Sequence, residues 1–228
     1  QLFNDTYSPN TYFSTLYITD TKSIYHQKFS TRKDWDGSNG SQLSEGSITV
    51  PNKVIYDPYL QTDLLKKEML FFSPIGQNNF LVRDSNYDQK WIVSEDHKVI
   101  AGYKCTKATT EYRGVKWIAW FAPEIPLPFG PWKLHGLPGL IFEAYDASKT
   151  YTMQAIKIEY KKSKITEKDF HELMKIKNNN PISYRQYLED KDEYIDNFYR
   201  SRGQDQDVII ERRKAPRTGM EIKFEWEE

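Results

Sequence analysis

The stretch IAGYKCTKATTEYRGVKWIAWFA, from Ile100 to Ala122, decides the fold that the sequence predicts. It contains two runs rich in β-branched and aromatic residues, 100–112 and 115–122, separated by Arg113-Gly114. Two such runs around a short glycine-containing turn predict a β-hairpin. In the second run one set of alternate residues is Val115, Trp117, Ala119 and Phe121, and the other set includes Ile118 and Trp120. Because both faces are largely apolar, we expect a central strand that is covered on both sides.

Strand patterns extend from this hairpin towards both ends of the chain. On the N-terminal side we predict a hairpin from 12–18 and 24–29, a polar loop at 30–46, and short strands at 53–57, 66–73, 79–84 and 90–94. On the C-terminal side we predict strands at 140–145 and 151–160, the second with Ile156, Ile158 and Tyr160 facing inward. No helical crossover of adequate length separates these strands, so an antiparallel meander is expected.

The pattern changes to helical after residue 163. Thr166 with Asp169, and Ser183 with Gln186, are N-terminal capping signatures and predict two helices within 164–203, with Gly203 as a C-cap. Residues 207–228 are predicted to form C-terminal strands, because Met220 to Trp226 alternate apolar and charged side chains as an edge strand does. The fold class expected is α+β and predominantly antiparallel β: one domain over residues 1–228, with a curved sheet or half-barrel of about eight to ten strands, two helices and an edge strand.

Composition excludes several classes of protein. The 228 residues carry 32 basic and 32 acidic side chains, so the formal charge is zero and a nucleic-acid partner is not expected. The single cysteine, Cys105, excludes a disulfide scaffold and is expected to be buried and inert. No apolar run has the roughly 18–20 residues that a membrane helix needs. Because the sequence starts at Gln1, we expect an exported chain whose signal peptide has been removed, with no lipid anchor of its own.

A second distinctive segment follows the central hairpin. Residues 123–139, PEIPLPFGPWKLHGLPG, hold five of the 11 prolines, interleaved with large apolar side chains. Proline excludes a helix or a central strand here, so we expect a stiff extended loop pinned to the sheet, called the proline-rich strap below. Pro138-Gly139 fits a type II turn with a positive φ at the glycine. The strap is either a structural brace or a recognition surface. The predicted interface residues are Ile125, Phe129, Trp132, His135, Gly136, Leu137, Pro138 and Gly139.

Residues 136–141 of this segment and the start of the next strand are GLPGLI. They are identical to the motif after which the GLPGLI family of Bacteroidetes proteins is named. The flanks at 100–105, 117–121, 125–126 and 130–132 also resemble that family, and the resemblance covers roughly residues 12–160. It implies an exported protein, often encoded near TonB-dependent outer-membrane receptors. No catalytic residues can be transferred from that family to this sequence.

Motifs of familiar chemistry do not occur in the sequence. The four histidines are scattered without metal-ligand spacing, and no nucleophile elbow, phosphate loop or dinucleotide fingerprint is present. We therefore predict no catalytic residues, no metal site and no cofactor. An enzymatic function of unfamiliar class requires that the side chains of Glu124, His135, Glu143 and Asp146 lie within about 10 Å of one another.

The leading functional expectation is a non-enzymatic accessory or binding protein in the periplasm, at the inner face of the outer membrane. Its expected partner is an outer-membrane protein or transporter complex of the TonB-dependent type. The alternative binding function is a periplasmic carrier that holds a small hydrophobic ligand in a half-barrel. The enzyme of unfamiliar class is the third possibility.

Overall fold

The computed structural model describes residues 2–5, 8–28, 59–85, 88–160, 180–204 and 216–227. The strands in these ranges are β1 (Leu2–Asp5), β2 (Ser8–Thr11), β3 (Phe13–Ile18), β4 (Lys22–Lys28), β5 (Tyr59–Asp63), β6 (Glu68–Ile75), β7 (Asn78–Asp84), β8 (Ile92–Ile100), β9 (Tyr103–Tyr112), β10 (Val115–Ala122), β11 (Leu140–Asp146), β12 (Tyr151–Gln154) and β13 (Ile182–Ser183). The helix α1 spans Tyr184–Gln204. The predicted class, α+β with predominantly antiparallel strands, is confirmed.

The strands form two sheets, where the sequence predicted a single curved one. Sheet I has seven strands in the order β2-β1-β12-β11-β10-β9-β8, and sheet II has six in the order β13-β7-β6-β5-β4-β3. Each sheet contains a meander of strands that are consecutive in sequence, β8 to β12 in sheet I and β3 to β7 in sheet II. Consecutive strands commonly lie side by side. The chain leaves one meander for the other after β7, where no hairpin joins β7 to β8.

The central hairpin is confirmed with the predicted turn. Arg113 and Gly114 both adopt a positive φ, of 49° and 78°, between Tyr112 and Val115, which face each other across the ladder. Ala101-Gly102 makes the same kind of turn between β8 and β9, with φ values of 50° and 85°. Two positive φ angles define the two-residue turn that matches the twist of a hairpin. Strand β10 lies between β9 and β11, as its apolar faces predicted.

The core of sheet I lies on the face that carries Trp117, Ala119 and Phe121 of β10. These residues cluster with Ala108, Tyr112, Leu134, Leu137, Ile141, Ala144 and Met153, all buried. The opposite face is covered only in part, since Ile118 and Trp120 are half-buried. Burying large aromatic and aliphatic side chains on one face is the main stabilising contribution to such a sheet.

The proline-rich strap lies between the two sheets. Its Phe129 packs in one cluster with Phe142 of sheet I and Leu16 of sheet II. Its Trp132 contacts the cluster around Trp117 and also the cluster of Tyr25, Leu60 and Met69 in sheet II. The side chains of the strap therefore pack between the two sheets and connect their cores.

The C-terminal part differs from the sequence prediction in three places. Ser183 caps α1 as predicted, since its Oγ accepts a hydrogen bond of 3.1 Å from the Gln186 amide, but Gly203 lies within the helix. Strand β12 ends at Gln154, so Ile156 and Tyr160 are exposed instead of facing inward. Residues 216–227 form no strand, and this segment contacts the turn after β9 through hydrogen bonds from the Ile222 and Lys223 amides to the Arg113 carbonyl.

Some predictions fall on residues outside the described ranges. These are the loop at 30–46, the strand at 53–57, the helix beginning near Thr166 and the part of the C-terminal strands before residue 216. The described residues contain no helix that is long and apolar enough to cross a membrane.

Candidate functional site

The sequence predicts an interface at the proline-rich strap. Most of the predicted interface residues are buried inside the protein. Ile125, Phe129, His135, Leu137 and Gly139 are buried. Trp132 is half-buried, and only Gly136 and Pro138 are exposed. The structure brings the eight residues together, but it leaves little of them to face a partner.

Backbone hydrogen bonds hold the strap against sheet I. The Leu140 amide donates to the Ile125 carbonyl at 2.9 Å, and the Ile141 amide donates to the Phe129 carbonyl at 3.0 Å. The Gly136 amide donates to the Pro128 carbonyl at 2.9 Å, beside a bridge between Phe129 and His135. These bonds give the strap the defined geometry of a structural brace.

The two glycines of the GLPGLI stretch serve different purposes. Gly136 has a φ of 89°, a conformation that other residues rarely adopt. Gly139 is not in that region, so the predicted type II turn at Pro138-Gly139 is wrong. A Cβ at residue 139 would lie 2.3 Å from the Ala122 carbonyl oxygen, so it is the close approach of two backbones that requires glycine.

His135 is buried at the centre of the strap. Its Nδ1–H donates to the Lys133 carbonyl at 2.8 Å, and its own carbonyl accepts a bond of 2.8 Å from Trp91 Nε1. Burial lowers the pKa of His135, although the bond to the Lys133 carbonyl acts in the opposite direction. A neutral imidazole in this position braces the strap against the segment before β8.

A network of buried charges lies beside the strap, and the sequence analysis did not find it. Arg113 donates to both carboxylate oxygens of Asp84, at 2.7 and 2.8 Å. Lys133 Nζ lies 3.1 Å from Asp84 Oδ2 and 2.8 Å from Glu221 Oε1. Arg113 also contacts Glu221, and its Nε donates to Glu225 at 3.0 Å.

This charge network joins parts of the chain that are far apart in sequence. Asp84 ends β7 in sheet II, Arg113 is in a turn of sheet I, and Lys133 belongs to the strap. Glu221 comes from the C-terminal segment and also accepts a bond of 2.9 Å from the Tyr184 hydroxyl at the start of α1. No spacing rule links these positions, and the only sequence signal was the alternation of acidic and aromatic residues after Met220.

Aromatic rings surround the two cations of the network. The Arg113 guanidinium carbon lies 5.1 to 5.9 Å from the ring centres of Tyr112, Tyr184, Phe224 and Trp226. Lys133 Nζ lies 4.2 Å from the ring centre of Tyr184 and 4.7 Å from that of Phe71. Cations over ring faces are attracted by the quadrupole, more strongly when they are desolvated.

The pKa shifts in the network have opposing causes. Burial raises the pKa of Asp84, but the charge of Lys133 and the bonds from Arg113 outweigh burial and hold it below its usual value. Burial and the negative charge of Glu221 raise the pKa of Tyr184. The Asp84 carboxylate therefore stays ionised and the Tyr184 phenol stays protonated near neutral pH. Because each charged group already has partners inside the protein, the network acts as a clamp.

Three of the four groups suggested for an unfamiliar enzyme make local hydrogen bonds. Glu143 accepts bonds from Lys98 Nζ at 2.8 and 2.9 Å, and Asp146 accepts bonds from the loop at Ser148 and from the Tyr151 amide. His135 is buried in the strap, and Glu124 is exposed. Within the described ranges, no group of three or more His, Cys, Asp or Glu residues is placed to hold a metal ion. Cys105 is buried as predicted, and burial raises its pKa.

An open groove of about 430 Å³ lies at one end of sheet I. The turn after β9, the loop between β11 and β12, and the C-terminal segment form its walls, with Lys116, Ser148 and Gly219 among the lining residues. The groove does not test the carrier function or the enzymatic function expected from the sequence, so both stay predictions.

Three exposed aliphatic side chains lie on the edge strand β8. Ile92, Val93 and Val99 are exposed by 73%, 51% and 72%. The ladder between β8 and β9 is interrupted between Val93 and His97, which leaves apolar residues on both sides of a bulge. Among the described strands, β8 pairs with β9 alone, and the outer side of such an edge strand presents backbone groups that can accept another strand.

A family model described as "Protein of unknown function (Porph_ging)" matches residues 110–143. This range includes the end of β9, all of β10, the whole strap and the start of β11. The match fits an uncharacterised family of the Bacteroidetes type. No curated protein sequence matches the chain.

Two solved structures of PNGF-II are similar in fold. The structure in space group C2 has a TM-score of 0.50 and 14% sequence identity, and the match covers 82% of this chain and 30% of PNGF-II. The structure in space group P21 has a TM-score of 0.49 and 15% identity, and the match covers 82% of this chain and 31% of PNGF-II. The chain thus spans less than a third of the length of PNGF-II, and the similarity concerns the fold alone.

Proposed function

We propose that this protein is a non-enzymatic binding protein that docks an extended segment of a partner protein along strand β8. The observation that carries the proposal is the exposure of Ile92, Val93 and Val99 on an edge strand. An extended segment added to a sheet edge gains backbone hydrogen bonds, and its side chains contact the apolar residues of the edge.

The burial of the neighbouring strand supports this proposal. Val93 pairs with Ala108 of β9, which is fully buried, whereas Val93 itself is exposed. Val99 pairs with Lys104, and both are exposed. The residues that pack over this face of sheet I therefore reach β9 but leave β8 exposed. A docked segment would bury the aliphatic side chains that are left outside.

The bulge between Val93 and His97 favours one specific partner over general aggregation. Ser94 Oγ accepts a bond of 3.2 Å from the Asp96 amide, and Asp96 pairs with Lys107 at 2.8 Å. A bulge with a charged side chain interrupts a long regular edge, which is how many proteins prevent edge-to-edge pairing. A partner must fit two short apolar stretches on either side of it.

The partner proposed is an outer-membrane protein or transporter complex of the TonB-dependent type, which the protein meets in the periplasm. The resemblance to the GLPGLI family at residues 136–141 supports this proposal. The strap takes the role of a rigid brace in it, because most of its apolar side chains are used between the sheets. We therefore propose that the interface lies on β8 and not on the strap.

Affinity purification from detergent-solubilised outer membranes tests the proposal. A tagged chain should retain an outer-membrane protein in stoichiometric amount, and Val99→Asp should lose it. Leu65→Asp is the matched control, because Leu65 is 76% exposed in the turn between β5 and β6. Equal recovery with both variants, or recovery of no envelope protein by the unchanged chain, would overturn the proposal.

A further inference from the structure

Three buried polar atoms on the inner face of sheet I have no hydrogen-bond partner within the described part of the chain. They are Thr110 Oγ1, Tyr112 Oη and Trp117 Nε1. The residues are exposed by 4%, 3% and 0%. The buried Asp84, Lys133 and His135 make hydrogen bonds, whereas Trp120 Nε1, on the opposite face of the sheet, also has no partner among the described residues.

The three residues are neighbours in the sheet. Thr110 of β9 faces Trp117 of β10 directly across the ladder. Tyr112 is two residues further along β9, so its side chain lies on the same face as that of Thr110. The ring of Trp132 packs over this group, with its centre 6.3 Å from that of Tyr112 and 5.6 Å from that of Trp117. Side chains of directly paired residues start about 5 Å apart.

Leaving these groups unpaired would be costly. An unsatisfied buried donor or acceptor costs about 1–3 kcal/mol, and the large majority of such groups in folded proteins have a partner. The side chains packed around them include Leu134, Leu137 and Met153, which offer no oxygen or nitrogen. A small polar molecule inside the core would supply the missing hydrogen bonds.

We propose that the core of sheet I contains a hydration site, with at least one internal water bridging Thr110, Tyr112 and Trp117. The donor and acceptor types match: the indole N–H only donates, and the two hydroxyls can both donate and accept. A single water can accept from Trp117 and exchange bonds with the hydroxyls, which gives it the two to four bonds usual for buried water.

A crystal structure at high resolution, combined with Thr110→Val and Trp117→Phe variants, tests this site. We expect ordered water within hydrogen-bond distance of at least two of the three atoms. We also expect Thr110→Val to raise the unfolding equilibrium constant by about fivefold to tenfold, because it removes a hydrogen bond to that water. The double variant should raise the constant by less than the product of the single effects, because both side chains share one water.

The control is Thr106→Val, which removes the same kind of hydroxyl at a site without the proposed water. Thr106 Oγ1 bonds to a protein atom instead, His97 Nδ1 at 3.1 Å. If Trp117→Phe does not fold, Tyr112→Phe takes its place in the double variant. A dry core, together with an unfolding constant that Thr110→Val leaves unchanged or lowers, would overturn the proposal. An unpaired polar atom replaced by an apolar group of the same shape has that effect.

Discussion

Gly139 illustrates how single residues specify this fold. The sequence drew attention to the glycine but assigned it to a turn with a positive φ. In the structure the requirement is steric, because a Cβ there would meet the backbone of Ala122. Sequence reasoning could not find this, since the close approach joins two segments that are 17 residues apart. Gly136, by contrast, has the positive φ that glycine tolerates best.

We expect Gly139→Ala to destabilise the protein by about 3 kcal/mol or more, because the clash is with backbone that cannot move aside cheaply. Urea unfolding measures this change. Gly102→Ala is the control: Gly102 has a φ of 85° but no atom near its added Cβ, so it should cost only about 1–2 kcal/mol of backbone strain. Equal losses for the two variants would contradict the steric account of residue 139.

His135 makes the fold sensitive to acid. Its pKa is lowered in the folded protein by burial, so below about pH 6.5 the unfolded chain binds the proton first and stability falls. The stability is fully present above pH 6.5 and decreases as the pH drops towards the lowered pKa.

The variant His135→Asn keeps a donor for the Lys133 carbonyl and removes the titration. It should therefore show a smaller loss of stability than the unchanged chain between pH 7 and pH 5.5. Chemical unfolding at several pH values measures the slope. Identical slopes for the two proteins would exclude His135 as the source of the acid sensitivity.

At the scale of elements, the C-terminal segment is the part that sequence patterns predicted least well. Its alternation of apolar and charged residues is typical of an edge strand, but the segment pairs with no strand. The apolar members Phe224 and Trp226 stack on each other at 4.9 Å and lie near Arg113 instead of covering a sheet face. The acidic members compensate buried cations, so the alternation has a cause other than strand pairing.

The two acidic residues of this segment should differ in importance. Glu221 is nearly buried and bonds to Arg113, Lys133 and Tyr184, whereas Glu225 is 40% exposed and bonds to Arg113. Glu221→Gln should cost about 3–5 kcal/mol, because it leaves buried charge uncompensated. Glu225→Gln should cost about 1 kcal/mol or less. Thermal unfolding of the pair is the measurement, and a larger loss for Glu225→Gln would show that the clamp is centred elsewhere.

The central hairpin was the element that the sequence predicted best. Its strands alternate over many residues and its turn carries Gly114, so local information was sufficient. The hairpin of β8 and β9, with its turn at Ala101-Gly102, was not predicted. The end of β12 was missed, because Ile156, Ile158 and Tyr160 continue the alternation after the chain has left the sheet. An apolar pattern predicts a strand only where a neighbouring strand is available to pair with it.

At the scale of the whole molecule, the strap and the charge network join two meanders into one protein. The sequence predicted one sheet because nothing in the local pattern marks the change from sheet II to sheet I after β7. The network of Asp84, Arg113, Lys133 and Glu221 is formed only in three dimensions, so spacing rules could not identify it. The proposed docking strand was predicted as a short element at 90–94, but its exposure becomes visible only once the neighbouring strands are in place.

We expect Val99→Asp to leave the free energy of unfolding within about 0.5 kcal/mol of the unchanged chain, because Val99 is already largely in contact with solvent. Urea unfolding checks this. Trp117→Asp, which places a charge at a fully buried position, should prevent folding. A large loss of stability in Val99→Asp would mean that β8 is covered by the protein's own chain.

The most direct test of the docking proposal is site-specific photo-crosslinking in cells of the native host. A photoreactive residue replaces Val99 in one variant and Leu65 in another, and the crosslinked products are identified by mass spectrometry. We predict a single outer-membrane partner crosslinked from position 99 and none from position 65. The same products from both positions, or products from position 65 alone, would contradict the assignment of β8 as the docking strand.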